Sequence, residues 1–289
     1  MAEGQLLKPL AVSLGDPAGI GPVLLRMTRD SLPPVEVFAA PGDPVKPGHP
    51  SKESGRQALA SFRQAARAVQ EGRCSALVTL PLSKEHVALS EPAFRGHTEE
   101  LGRLWGGDPL MVLEGGTLRV ALVTTHLRLA EVPVALTRQL VVSRGRILRD
   151  ALKRRMTQWR EPRLHLLALN PHAGEGGLLG DEEQRILLPA LKDLRDDGGD
   201  WQGPHPADGF FARGDFGDAV LAPYHDQGLV AVKLLAKRSG VNVTLGLPFI
   251  RTSPDHGTAF DLARSGGTPD TASFLAAVRR ATELQATRL

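Results

Sequence analysis

The chain reads as an α/β protein with a largely parallel sheet, on three observations. Short apolar runs alternate with longer helical patterns along the sequence. Several runs are apolar throughout rather than alternating, as strands covered on both faces are. Glycine-rich turns join run to helix, as in LGDPAGIGP (residues 14–22) and AGEGGLLGDEE (residues 173–183).

In chain order, PLAVSL predicts a strand over 9–14, ended by Gly-Asp-Pro, and IGPVLLRMTR a helix over 20–29. VEVFA gives a strand at 35–39. Residues 42–54, GDPVKPGHPSKES, are dense in Pro, Gly and Lys and read as a surface connection. A helix is expected over 55–71, a strand over 76–80 (ALVTL) and a helix over 98–104. Two runs follow at 110–113 and 118–124, then a long helical pattern at 137–159. A strand at 163–169 and a helix at 182–195 lead to a second break, DDGGDWQGPHP, at 196–206. The remaining strands are expected at 218–222 and 241–245, and the remaining helices at 228–236 and 271–285.

At 289 residues the length suits one large or two modest domains. A single cysteine, Cys74, rules out an intrachain disulfide framework and a thiolate zinc cluster, and suits a reducing cytoplasm. Cys74 precedes an apolar run and reads as a small buried residue, not a nucleophile. The N-terminal LLKPLAVSLG reads as strand and turn rather than a secretory signal, and no apolar run is long enough to span a bilayer. Net charge is +3, and the basic cluster at 144–155 has no aromatic platform beside it. It reads as a solvated helix face, without nucleic acid as partner, while the mild positive balance favours an anionic substrate.

Residues 224–263 carry the densest chemistry: two histidines, acids and amides, lysines and arginines among glycines and short apolar runs. Of the nine histidines, His49, His86, His165 and His205 have plain settings. His97, His126, His172, His225 and His256 stand in turns or at strand ends, where ligands collect in α/β sheets. His126, His172 and His225 each follow a predicted strand, so three imidazoles could bind one divalent metal and leave a position open. Histidines that merely order loops are the alternative, and spacing alone leaves both standing. Lys233 lies about two helical turns after His225 and could hold a carboxylate or phosphate. Arg251 follows LGLPFI at a proline-bounded turn and suits bidentate anion binding. Asn242, between two valines, needs a partner. G-x-G-x-x-G, Walker A, G-x-S-x-G and H-E-x-x-H are all missing, which removes the common dinucleotide, P-loop, serine-hydrolase and zincin readings.

Taken in order, GDPAGIGP, GHTE, TTHL, LNPHAGEGG, YHDQGL with a following lysine, VNVTLGLPFIRTS and DHGTAFDLA resemble the 4-hydroxythreonine-4-phosphate dehydrogenase family of vitamin B6 biosynthesis. The resemblance runs from residue 14 to about residue 263. It implies an isocitrate/isopropylmalate-dehydrogenase-like α/β/α sandwich of two subdomains with the cleft between them. The first would be residues 1–100 plus 243–289 and the second, with the metal-ligand histidines, residues 101–242. It implies a homodimer with the active site at the interface, in a cytoplasmic enzyme. Metal ligands would be His126, His172 and His225, with His225 supplied by the partner chain. The metal would be zinc first, with magnesium or cobalt as alternatives. Substrate contacts would be His97, Thr98, Lys233, Asn242 and Arg251, and the base Lys233 or Asp226. Asp255, His256, Gly257 and Thr258 would hold the adenosine end of NAD or NADP.

The implied reaction is oxidation of 4-phosphohydroxy-L-threonine followed by decarboxylation to 3-amino-2-oxopropyl phosphate. A paralogous dehydrogenase acting on 4-phosphoerythronate or a threonate phosphate is the alternative. A zinc hydrolase or an inactive metal-binding relative stands behind it. The chain departs from the family pattern by a shorter segment after residue 40 and by TLPLSK, which keeps Thr79, Pro81 and Lys84, in place of T-G-P-x-x-K.

Overall fold

The computed structural model describes residues 8–154 and 160–286, so residues 155–159 of the expected helix and Arg155 of the basic cluster lie outside the described residues. Ten strands are found among them: β1 (Leu10–Ser13), β2 (Val35–Phe38), β3 (Leu77–Thr79), β4 (Leu110–Gly115), β5 (Leu118–Leu122), β6 (Arg163–Leu167), β7 (Asp200–His205), β8 (Ala219–Ala222), β9 (Val241–Leu245) and β10 (Arg251–Pro254). The chain divides into two compact units, Met1–Pro109 with Val241–Leu289, and Leu110–Gly240. The first division falls after the helix His97–Trp105, which an expected boundary at residue 100 would have cut.

The first unit orders its strands β2-β1-β3-β10-β9. β1 runs parallel to β2 and β3, β10 runs parallel to β3, and β10 and β9 are antiparallel, with Arg251 opposite Thr244 and Ser253 opposite Asn242. One face is covered by the helix Lys52–Gln70. It starts at a capping box in which Ser51 and Ser54 satisfy each other's backbone N–H groups. Its Phe62, Ala65, Ala66 and Val69 are buried together with Leu77, Leu101 and Trp105. Trp105 donates its indole N–H to the Ala66 carbonyl at 3.1 Å. Cys74 joins this core, and burial, helped by Glu36, pushes its thiol up to about 11.

The second unit orders its strands β4-β5-β8-β6-β7. β4 and β5 form an antiparallel hairpin, and the β5–β8, β8–β6 and β6–β7 pairs are parallel. The helix Arg138–Lys153 carries the basic residues as a solvated face: Arg146 pairs with Asp197 and Arg149 with Glu161. The helix His225–Ala236 lies on β5 and β4 and buries Leu229 and Val232 against Val120 and Leu113. Gly228 permits that approach, because a Cβ there would lie 2.4 Å from Val120 Cγ1.

Three sequence expectations are corrected. The break at 196–206 holds the edge strand β7, whose Gly and Pro an edge tolerates. Arg251 opens a buried strand rather than sitting in a turn. His225 is the first residue of a helix that begins three residues before the expected one. Among the described residues, no helix is long and apolar enough to cross a membrane.

Two outcomes are expected. Gly228→Ala would gain up to about 1 kcal/mol of helix propensity, but the clash with Val120 should cost about 1–3 kcal/mol. Net destabilisation in urea melts is the expected result, and a stabilised variant would refute the close seating. His165 and His205 are hydrogen-bonded ring to ring at 3.1 Å. Burial lowers both below the ordinary histidine value, His205 to about 4. Because the unfolded rings bind protons more readily, stability should fall as pH drops from about 6.5 through 4. His205→Gln should flatten that slope.

Candidate active site

In the second unit, β5 and β8 end in step, with Leu122 paired to Ala222. The pairing continues past the strands: Val123 N–H donates to the Ala222 carbonyl at 2.9 Å, and Thr124 donates to Pro223 O through both N–H, at 3.1 Å, and hydroxyl, at 2.7 Å. This tie fixes the loop of His126 beside the start of the His225 helix. The two imidazoles stand 5.7 Å apart, centroid to centroid, with planes inclined by 44°. Asp226 Oδ1 lies 2.6 Å from His225 Nδ1. A proton on Nδ1 is thereby held by the carboxylate, and Nε2 keeps the lone pair a metal takes. Lys233 is exposed on the same helix.

His172 sits in a different kind of segment. His172, Ala173, Gly174, Glu175 and Gly176 all have positive φ, between 44° and 78°. For each non-glycine residue that conformation costs about 1–2 kcal/mol. The His172 ring is exposed, 3.6 Å from Glu175. Among the described residues no three metal-ligating side chains of one chain come together. The chain thus assembles His126 with His225. Two imidazoles, one with its second nitrogen tied to a carboxylate, fit a divalent metal's donor preference, with one further protein ligand to be supplied.

In the first unit, Arg251 is 3% exposed. Its guanidinium donates to Thr79 Oγ1 at 3.1 and 2.8 Å and to Thr244 Oγ1 at 3.0 Å, and among the described residues no carboxylate hydrogen-bonds it. Burial lowers its pKa to about 10, so it remains a cation at neutral pH. His97 opens the helix His97–Trp105 and stands edge-on to Phe62, 4.7 Å between centroids. Its Nε2 is buried without a hydrogen-bond partner. Burial first, then the charges of Arg251 and Lys84, hold the ring well below the ordinary histidine value and keep it neutral. Thr98 follows on the first turn of that helix, where N–H groups point outward. Asn242 Oδ1, on β9, is likewise buried and unpartnered. Thr79, Thr244 and Lys84 belong to this cluster without having been singled out. The sequence signal for two of them is TLPLSK, which keeps Thr79 and Lys84.

The Asp255–Thr258 turn packs on the first glycine turn. Ile20 N–H donates to Thr258 O at 3.0 Å, and a Cβ on Gly19 would lie 2.7 Å from the same oxygen. Asp255 N–H is held by Ser273 Oγ at 2.8 Å, and His256 Nδ1 lies 3.0 Å from Gly257 O. His256 Nε2 is buried and unpartnered, while a Cβ on Gly257 would meet nothing within 4 Å. Open backbone beside an orphaned imidazole nitrogen fits a nucleoside ligand.

A family model described as pyridoxal phosphate biosynthetic protein PdxA matches residues 22–281. The 4-hydroxythreonine-4-phosphate dehydrogenase of Paracoccus denitrificans is 39% identical over 97% of this chain and 99% of that relative. The crystal structure of the Klebsiella pneumoniae 4-hydroxythreonine-4-phosphate dehydrogenase superposes with a TM-score of 0.84 at 34% identity, covering 96% of this chain and 99% of its own. The isocitrate dehydrogenase of Methylococcus capsulatus, 14% identical with a TM-score of 0.52 over 98% of this chain and 88% of its own, shares the fold. The expected α/β fold of the isocitrate dehydrogenase type is therefore the one found. The chain belongs to the PdxA family, the 4-hydroxythreonine-4-phosphate dehydrogenases of pyridoxal phosphate biosynthesis.

Proposed function

We propose that the chain oxidises 4-phosphohydroxy-L-threonine with NAD or NADP and a divalent metal, zinc first, and that the β-keto acid formed loses CO₂ to give 3-amino-2-oxopropyl phosphate. The observation that carries this reading is Arg251. A buried cation whose acceptors among the described residues are threonine hydroxyls is costly unless it serves an anion. A planar guanidinium suits a phosphate or carboxylate. His97, kept neutral, and Asn242 add a ring nitrogen and an amide oxygen whose hydrogen bonds no protein group takes. Thr98, at the helix start, and Lys233 complete the substrate contacts.

His126, His172 and His225 are assigned to the metal, and Asp255, His256, Gly257 and Thr258 to the adenosine end of the cofactor. When bound, the metal supplies Lewis acidity and the nicotinamide a hydride acceptor. Asp226 commits an oxygen to His225 and fixes that ring's tautomer. Lys233 then remains to take the hydroxyl proton as the C–H hydride departs. Arg251 anchors the substrate while the carboxylate leaves as CO₂ and the carbon it left is protonated. A cytoplasmic homodimer is part of the same reading. Its support is that each histidine segment also exposes large apolar side chains: Leu127 and Leu129, Leu178 and Leu179, and Val230, Leu234 and Leu235.

The metal-loaded protein should form NADH or NADPH with 4-phosphohydroxy-L-threonine and not with 4-phospho-D-erythronate or D-threonate 4-phosphate. Turnover of only the amine-free acids would reassign the substrate. Arg251→Met should raise KM by about a hundredfold or more while leaving Tm unchanged or higher, because an apolar side chain escapes the desolvation cost. A lower Tm with unaltered KM would show Arg251 to be structural.

A further inference from the structure

Glu183 is 2% exposed, yet among the described residues its hydrogen-bond partners include no cation. Its Oε1 accepts the backbone N–H groups of Leu169 and Asn170, each at 2.8 Å, and its Oε2 accepts the Asn170 side-chain amide at 2.9 Å. Both acceptors serve the two residues where the chain leaves β6 for the left-handed turn. The contact reaches into the turn, since a Cβ on Gly174 would lie 2.8 Å from Glu183 Oε2. Asn170 O in turn accepts from Ala173 N–H at 3.2 Å. Glu183 itself opens a five-residue π-helical turn, Glu183–Leu187, an irregularity that often marks function. From the other side, Gln227, two residues after His225, donates to Ala168 O at 2.5 Å.

Nothing in the packing of an ordinary strand-to-helix connection calls for a buried carboxylate here. Burying one is expensive unless every oxygen is used, and both oxygens are used on the stem of the strained turn. Strained backbone persists only where the surroundings over-determine it. We propose that Glu183 is a positioning residue. It clamps Leu169 and Asn170 so that the left-handed turn holds His172 in its ligand pose. The inference rests on His172 being a metal ligand.

The test is zinc affinity by chelator competition on the full chain, for the wild type, Glu183→Gln, His172→Ala and the double variant. Glutamine can still accept both backbone N–H groups but opposes a donor to the Asn170 amide. Affinity should fall about tenfold in Glu183→Gln and fall no further when that change is added to His172→Ala. An equal loss in both backgrounds, or none in either, would overturn the positioning role, because a general loss of packing does not depend on whether His172 is present. If glutamine prevents folding, Glu183→Asp carries the same comparison. Absence of zinc binding by the wild type, or wild-type affinity in His172→Ala, would instead overturn the metal reading.

Discussion

The second unit depends on β5 and β8 ending in step. Parallel strands impose no common end point, so a side chain after one strand ordinarily has no fixed neighbour after the next. Here the ladder is prolonged by Val123 and Thr124 onto Ala222 and Pro223, the last bond made by a side-chain hydroxyl. That extra rung turns two loops of free relative geometry into one rigid rim. His126 and His225 inherit their spacing from it. The helix behind His225 can follow only because Gly228 lets it settle on Val120.

The first unit shows the opposite economy. Its polar centre is held not by ion pairing but by its absence. Burial holds the pKa of Arg251 below the ordinary arginine value, at about 10, so the charge is kept there at a cost. Elsewhere the same unit pairs buried charge readily, as Glu100 does with Arg63 and Arg103. An acid opposite Arg251 would stabilise the protein and compete with an anionic substrate. Two hydroxyls orient the fork without neutralising it, and a neutral His97 beside it adds no repulsion.

Much of this was legible in the residues. Apolar runs such as ALVTL and DAVLA announced central strands because burial on both faces leaves no room for polar alternation. β10 escaped notice because RTSP owes its burial to hydrogen bonding rather than hydrophobicity; Thr252, for example, spends its hydroxyl on the Ala277 carbonyl. β7 was hidden by the turn chemistry of DWQGPH. For the site, the motifs single out separate segments, but linear spacing says nothing about which strand ends meet. It could not foresee that His126 and His225 would be neighbours while His172 stood on a turn of its own. Glu183 stands in a run of acids at the start of the helix expected over 182–195, and only its burial sets it apart.

The left-handed run at residues 172–176 also bears on how truncation experiments are read. Alanine is the customary neutral replacement, but at a φ of 52° it inherits the full steric penalty that His172 bears. Glycine would remove the ring and the penalty together, while giving the unfolded chain more freedom to lose. Two truncations of the same side chain therefore differ in native-state strain and in denatured-state entropy. Comparing them would separate what the imidazole contributes from what the handedness of its backbone costs.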